Sequence, residues 1–165
     1  MFGLYSIVSF ILAVLVHEMS HMAVIYASGM RIDRVCMDIG GLRIDYSGVG
    51  GMFADILAAL AGPLGGILYG CFAGVISGRL AFSAKLSILY SFFNLLPVYP
   101  LDGGRVMLFV AEELLGEYSA IFLCRKISMA VSVLLLIIGF LLWASGEGGA
   151  LFAAGVWLGL LQKEN

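Results

Sequence analysis

Charge is what this chain has least of: only 12% of its 165 residues are Asp, Glu, Lys or Arg, against about 25% in a soluble domain. Apolar residues make up 62% of it, and mean hydropathy is +1.06. That balance excludes a soluble globular domain and predicts an integral multi-pass membrane protein. The net charge of −2 and the scatter of the basic residues exclude a nucleic-acid-binding face. Cysteine is nearly absent too. Cys36, Cys71 and Cys124 are odd in number and far apart, so no disulfide framework is expected and packing is their role. Of only three prolines, Pro97 and Pro100 fall close together, where they must break a helix. Only two histidines exist, His17 and His21, and both lie in an apolar stretch.

Against this background the long apolar runs define the organisation. Segments at about 3–28, 52–78, 80–96 and 127–145 approach or exceed the roughly 20 residues that span a bilayer, and a shorter one follows at about 150–161. The expectation is an all-α polytopic bundle of about five transmembrane helices, forming one membrane domain over residues 1–165. The first run lacks a basic leading region and is expected to be retained rather than cleaved. Between the first two helices, the alternation of Leu42-Arg43-Ile44-Asp45-Tyr46 after Gly40-Gly41 predicts a short membrane-associated β-hairpin within residues 31–51. Residues 106–117 suit an interfacial helix with Glu112, Glu113 and Glu117 on its solvated face. A final helical hairpin turns at Gly146-Glu147-Gly148-Gly149.

Glycines at 62, 66, 70, 74 and 78 recur every fourth residue, predicting a smooth strip for close helix packing, with Gly62-Pro63 locally loosening the helix. On this topology Arg31, Arg34, Arg43, Arg105, Arg125, Lys126 and Lys163 fall on one side, and Arg79 and Lys85 on the other. The richer side is expected to be cytoplasmic. The seven-residue step from His21 to Ser28 puts the histidines roughly 10 Å below that face.

His17-Glu18-Met-Ser-His21 sets two imidazoles on one helical face with a carboxylate beside them. Ionisable residues at the membrane centre cost about 2.5–3.5 kcal/mol each, and metal coordination compensates for that. Zinc suits nitrogen and oxygen ligands and in catalytic sites keeps a position open for water. Glu18 is placed to take a proton from that water and pass it to a leaving amine. The third ligand is open among Asp102, Asp55, Cys71 and Glu18 itself. Asp102 is favoured because backbone unwound by Pro97 and Pro100 is tolerated at membrane depth only where it is buried or lines a cavity. Asn94 either holds a substrate carbonyl or oxyanion, or bonds between helices. The hairpin, with Ile44 at an edge position, offers strand addition to an extended substrate. Two rival readings are a proteolytically inactive metal-binding scaffold and a divalent-metal transporter.

Taken in order, His17-Glu18-Met-Ser-His21, Ala61-Gly62-Pro63 and Asn94-Leu-Leu-Pro97-Val-Tyr-Pro100-Leu-Asp102-Gly103 lie on successive apolar segments. In this the sequence resembles the site-2 protease family of intramembrane zinc metalloproteases. The resemblance implies His17, His21 and Asp102 as zinc ligands, Glu18 as catalytic acid/base and Asn94 as a substrate-orienting residue. It also implies cleavage in or near a transmembrane segment of a membrane-tethered protein, with an inhibitory membrane partner as a further expectation. Arg31 to Val35 and Ile39 to Leu42 look like the bacterial sporulation branch, which processes a tethered sigma-factor precursor in the cytoplasmic membrane. These 165 residues do not include that branch's extra leading helix or its cystathionine-β-synthase-type domain.

Overall fold

The structure is a computed structural model describing residues 2–38, 41–48 and 50–164. Its elements are α1 (Phe2–Ala27), β1 (Arg31–Asp38), β2 (Gly41–Ser47), α2 (Gly51–Ile76), a 3-10 turn (Gly78–Leu80), α3 (Ala81–Asn94), α4 (Asp102–Leu115), α5 (Glu117–Ala144) and α6 (Ala150–Glu164). The all-α membrane class with one hairpin after the first helix is the observed fold. The number of spanning helices is smaller than the five expected. Among the described residues three are long and apolar enough to cross a bilayer: Gly3–Ala27, Gly51–Ile76 and Glu117–Ala144. With 14 and 15 residues, α3 and α6 reach roughly 21–23 Å at 1.5 Å per residue, short of a ~30 Å core. The chain divides into two compact units, Met1–Leu96 and Pro97–Asn165.

In the first unit α1 ends where the sequence supplies Gly29, whose φ of +74° suits glycine. Met30 N–H donates to the Ile25 carbonyl and Gly29 N–H to that of Tyr26, a Schellman-type stop. The two strands pair antiparallel from Arg31↔Ser47 to Asp38↔Gly41, with an irregularity between Ile32 and Arg34. The turn expected at Gly40-Gly41 falls partly on residues 39 and 40, outside the described residues. Ile44 is not an open edge contact in its side chain: it is buried with Ile25, Met30 and Ala58, seating the hairpin on the end of α1 and the start of α2.

Helix α2 runs unbroken through Pro63. Its glycine series is shorter than the spacing suggests, because the helix ends before Gly78, which has open space around it. Each four-residue step turns 400°, so the series winds around the helix. Gly62 therefore faces α1, whereas Gly66 and Gly70 face α3. A methyl group at Gly66 would lie 2.2 Å from Ser91 Oγ, and one at Gly70 would lie 2.3 Å from Ile88. Gly74 has only ordinary contacts. Across this close approach Ser87 Oγ donates to the Gly66 carbonyl at 2.9 Å, and Tyr69 and Ser83 share a hydroxyl contact at 2.8 Å. Polar links of this kind join helices where hydrophobicity cannot, because lipid is as apolar as the side chains. At the far end Tyr5 OH donates to the Arg79 carbonyl at 2.5 Å, so α1 runs antiparallel to α2.

In the second unit α5 begins at Glu117, ten residues before the expected 127. Arg125 and Lys126 suggested a boundary, but both are exposed on a helix whose buried face repeats every fourth residue at Ala120, Cys124, Ser128 and Ser132. Long basic side chains tolerate such positions by reaching outward, and Lys126 Nζ lies 4.3 Å above the Phe122 ring. The helix expected at 106–117 corresponds to α4. It starts earlier, at Asp102, and Glu117 belongs to α5 instead. Glu112 is half-buried rather than solvated. Helices α5 and α6 pack backbone to backbone: a methyl group at Gly139 would meet Phe152 N at 2.4 Å. Trp143 stacks on Phe152 beside the glycine turn.

Candidate metal centre

Helical spacing brings His17 and His21 to one face of α1, and both rings are buried, at 2% and 6% exposure. Their Nε2 atoms lie 3.1 Å apart. Two zinc–nitrogen bonds of about 2.0–2.1 Å at a tetrahedral angle would set their nitrogens roughly 3.3 Å apart, so the pair already has a chelating geometry. His21 Nδ1 lies 2.7 Å from the Ala58 carbonyl oxygen. A carbonyl only accepts, so Nδ1 carries the hydrogen and, in the neutral ring, Nε2 presents its lone pair, the arrangement found at metal-binding histidines. The His17 ring also packs against Tyr90 on α3 in a T-shaped contact, with centroids 4.9 Å apart. Phe10 in turn packs edge-on against Tyr90.

Gly62 makes this pocket possible. A methyl group there would lie 2.1 Å from His21 Nε2 and 2.6 Å from His17 Nε2. Lacking a side chain, Gly62 also leaves open the approach to the Ala58 carbonyl one turn earlier on the same face of α2. Gly65 does the same for Ser20, whose hydroxyl turns back to the Val16 carbonyl at 2.7 Å. Buried and convergent, the two nitrogens fit zinc.

Glu18 is half-buried on α1 beside the pair. Asn94 is buried at the end of α3, one turn beyond Tyr90, and donates from Nδ2 to the Tyr90 carbonyl at 2.9 Å. Of the other ligand candidates in this unit, Cys71 is exposed on α2, unsuited to a closed site, and Asp55 is half-buried near the start of that helix. Ile44 serves the hairpin core. Asp102, in the second unit, is buried at 7% exposure as the first residue of α4, after a segment with a cis Tyr99-Pro100 peptide. Sequence reasoning missed the Ala58 carbonyl and the Tyr90 ring, neither of which carries a motif. The signal for Gly62 was present in the glycine series and in Ala61-Gly62-Pro63, but it read as close packing and a loosened helix rather than as room for the histidine rings.

Comparison with known proteins agrees with this chemistry. Residues 57–139 of the 165 match the model of Peptidase family M50, a span that begins after the histidines and contains Asn94 and Asp102. A zinc metalloprotease of Methanocaldococcus jannaschii is 24% identical over 144 residues, covering 78% of this chain and 41% of that protein. Stage IV sporulation protein FB of Bacillus subtilis is 28% identical over 134 residues, covering 76% and 46% respectively. The chain thus spans less than half the length of these relatives. The solved site-2 protease from Methanocaldococcus jannaschii has the same fold, with a TM-score of 0.76 at 18% identity over 95% of this chain and 75% of that one. With half of its length matched by the family model and its fold shared with a solved site-2 protease, this integral membrane chain belongs to peptidase family M50.

Proposed function

We propose that the chain is an intramembrane zinc metalloprotease that hydrolyses a peptide bond in or near the transmembrane segment of a membrane-tethered protein. The observation that carries this is the buried His17–His21 pair, 3.1 Å apart at Nε2, with His21 fixed by the Ala58 carbonyl. His17, His21 and Asp102 are the zinc ligands in this reading. Asp102 is supported by its burial at a helix start behind proline-broken backbone. Zinc, when bound, supplies a Lewis acid that polarises the scissile carbonyl and makes water acidic enough to lose a proton near neutral pH.

Glu18 accepts the proton of the attacking water and returns it to the leaving amine nitrogen. Asn94 keeps a second amide N–H beyond the one it gives to Tyr90, and that N–H orients the substrate carbonyl. The site faces the cytoplasmic side, which the positive-inside rule supports: Arg31 and Arg34 follow α1 at the end nearer the histidines. A tethered regulatory protein such as a sigma-factor precursor is the finer substrate candidate, and the sporulation protein among the relatives supports it.

The deciding experiment compares purified native chain with Glu18→Gln at matched zinc content on a panel of single-pass substrates. The expected result is retained zinc with cleavage reduced about 10²–10⁴-fold. Unchanged cleavage would overturn the role of Glu18.

A further inference from the structure

The backbone of Tyr99, three residues before Asp102, is held on both sides by side chains from two other helices of the second unit. Its N–H donates to Ser128 Oγ on α5 at 3.0 Å, and its carbonyl accepts from Gln162 Nε2 on α6 at 2.5 Å. Ser128 is fully buried and Gln162 nearly so. A glutamine buried in so apolar a helix is costly unless its amide is used, and here it satisfies a carbonyl that no helix can satisfy.

The clamp extends to Asp102. Leu101 N–H donates to the Val98 carbonyl at 2.8 Å, closing a turn around Tyr99 and Pro100, and Val98 and Leu101 are both buried. The first turn of α4 then rests on this segment, since a methyl group at Gly104 would lie 2.4 Å from Tyr99 N. Residues 98–104 therefore form one packed piece that Ser128 and Gln162 anchor from two other helices.

We propose that Ser128 and Gln162 are positioning residues for the Asp102 carboxylate, setting its place through the Tyr99 backbone without touching the metal. The proposal rests on the reading of Asp102 as a zinc ligand. Helix α5 provides an internal comparison: Ser132, one turn on and equally buried, has no hydrogen-bond partner for its hydroxyl among the described residues. Removing that hydroxyl deletes the same atom from the same helix face and leaves the Tyr99 anchor intact.

The test measures zinc affinity by chelator competition on the full chain in nanodiscs, for Ser128→Ala, Gln162→Leu, Ser132→Ala and Asp102→Ala. Hydrogen exchange of the metal-free forms is followed in parallel. Ser128→Ala and Gln162→Leu are each expected to weaken zinc binding about tenfold or more, as outer partners of metal sites do. They should also speed exchange at Leu101 and Asp102 while α5 and α6 stay protected. Ser132→Ala should change neither, and Asp102→Ala should lose more affinity than any of them. If Ser128→Ala and Gln162→Leu bind zinc as tightly as Ser132→Ala while Asp102→Ala does not, the positioning role is wrong and the ligand reading stands. Native affinity in Asp102→Ala would instead overturn the ligand reading itself, and the positioning role with it. Raised exchange throughout the second unit would mark a purely structural role and also overturn the proposal.

Discussion

His21 donates from Nδ1 to the Ala58 carbonyl at 2.7 Å, across a face of α2 that Gly62 leaves bare. One backbone oxygen on a neighbouring helix thus determines which nitrogen of a histidine is available to a metal. The dependence runs through a missing side chain, which makes it easy to probe.

Gly62→Ala is expected to abolish tight zinc binding, because its methyl carbon would fall 2.1 Å from His21 Nε2. At least one ring must rotate away, and zinc affinity should drop by an order of magnitude or more, as it does when the support of a ligand is lost. Gly74→Ala on the same helix meets its nearest atom at 3.7 Å and should shift stability by less than about 1 kcal/mol. Metal content after dialysis, measured for both variants, checks the contrast. Equal zinc retention would remove Gly62 from the site.

Metal removal should destabilise the native protein and leave the histidine variants unmoved. A ligand that binds only the folded state at about 1,000 times its Kd adds roughly 4 kcal/mol. Chelation should therefore lower the thermal midpoint of the native chain, and zinc add-back should restore it. His17→Ala, lacking one of the paired nitrogens, should show a midpoint independent of zinc.

Ile44 and Val35 are register partners in the hairpin with opposite surroundings, Ile44 buried and Val35 48% exposed. Ile44→Ala should cost about 2–5 kcal/mol of local stability, as core truncations do. Val35→Ala should cost little stability, and any loss of cleavage it causes reports on substrate docking. Proteolytic sensitivity of the hairpin and turnover, measured on both variants, separate packing from recognition. Proline at Ile44 cannot make that separation, because it disturbs the core as well as the edge.

Ser87→Ala removes the hydroxyl that joins α3 to the Gly66 carbonyl and should lower stability by about 0.6–2 kcal/mol, the range for such links in membranes. Ser91→Ala removes a buried hydroxyl that makes no hydrogen bond among the described residues and should be neutral or slightly stabilising. Unfolding in mixed micelles provides the measurement. A larger loss for Ser91→Ala than for Ser87→Ala would contradict this packing.

Much of the site's vocabulary was readable from the chain alone. His17 and His21 are four apart in a run that can only be helical, because lipid leaves backbone groups no other partner. Pro97 and Pro100 mark a place where helix must fail. The hairpin announced itself through the alternation at Leu42 to Tyr46. By contrast, the start of α5 was misjudged because Arg125 and Lys126 resemble a loop until Cys124 and Ser128 show the buried face beneath them.

The sequence by itself determined the membrane setting, the helical segments and the paired imidazoles, since composition and backbone hydrogen bonding leave few alternatives in an apolar solvent. Only the tertiary structure decided that Gly62 meets the histidines while Gly66 meets Ser91, that Ile44 turns inward, and that Ser128 and Gln162 converge on Tyr99. The physical reason is the solvent. In water an apolar stripe tells which face of a helix is buried, whereas in lipid both faces are apolar and only contact with a neighbour distinguishes them.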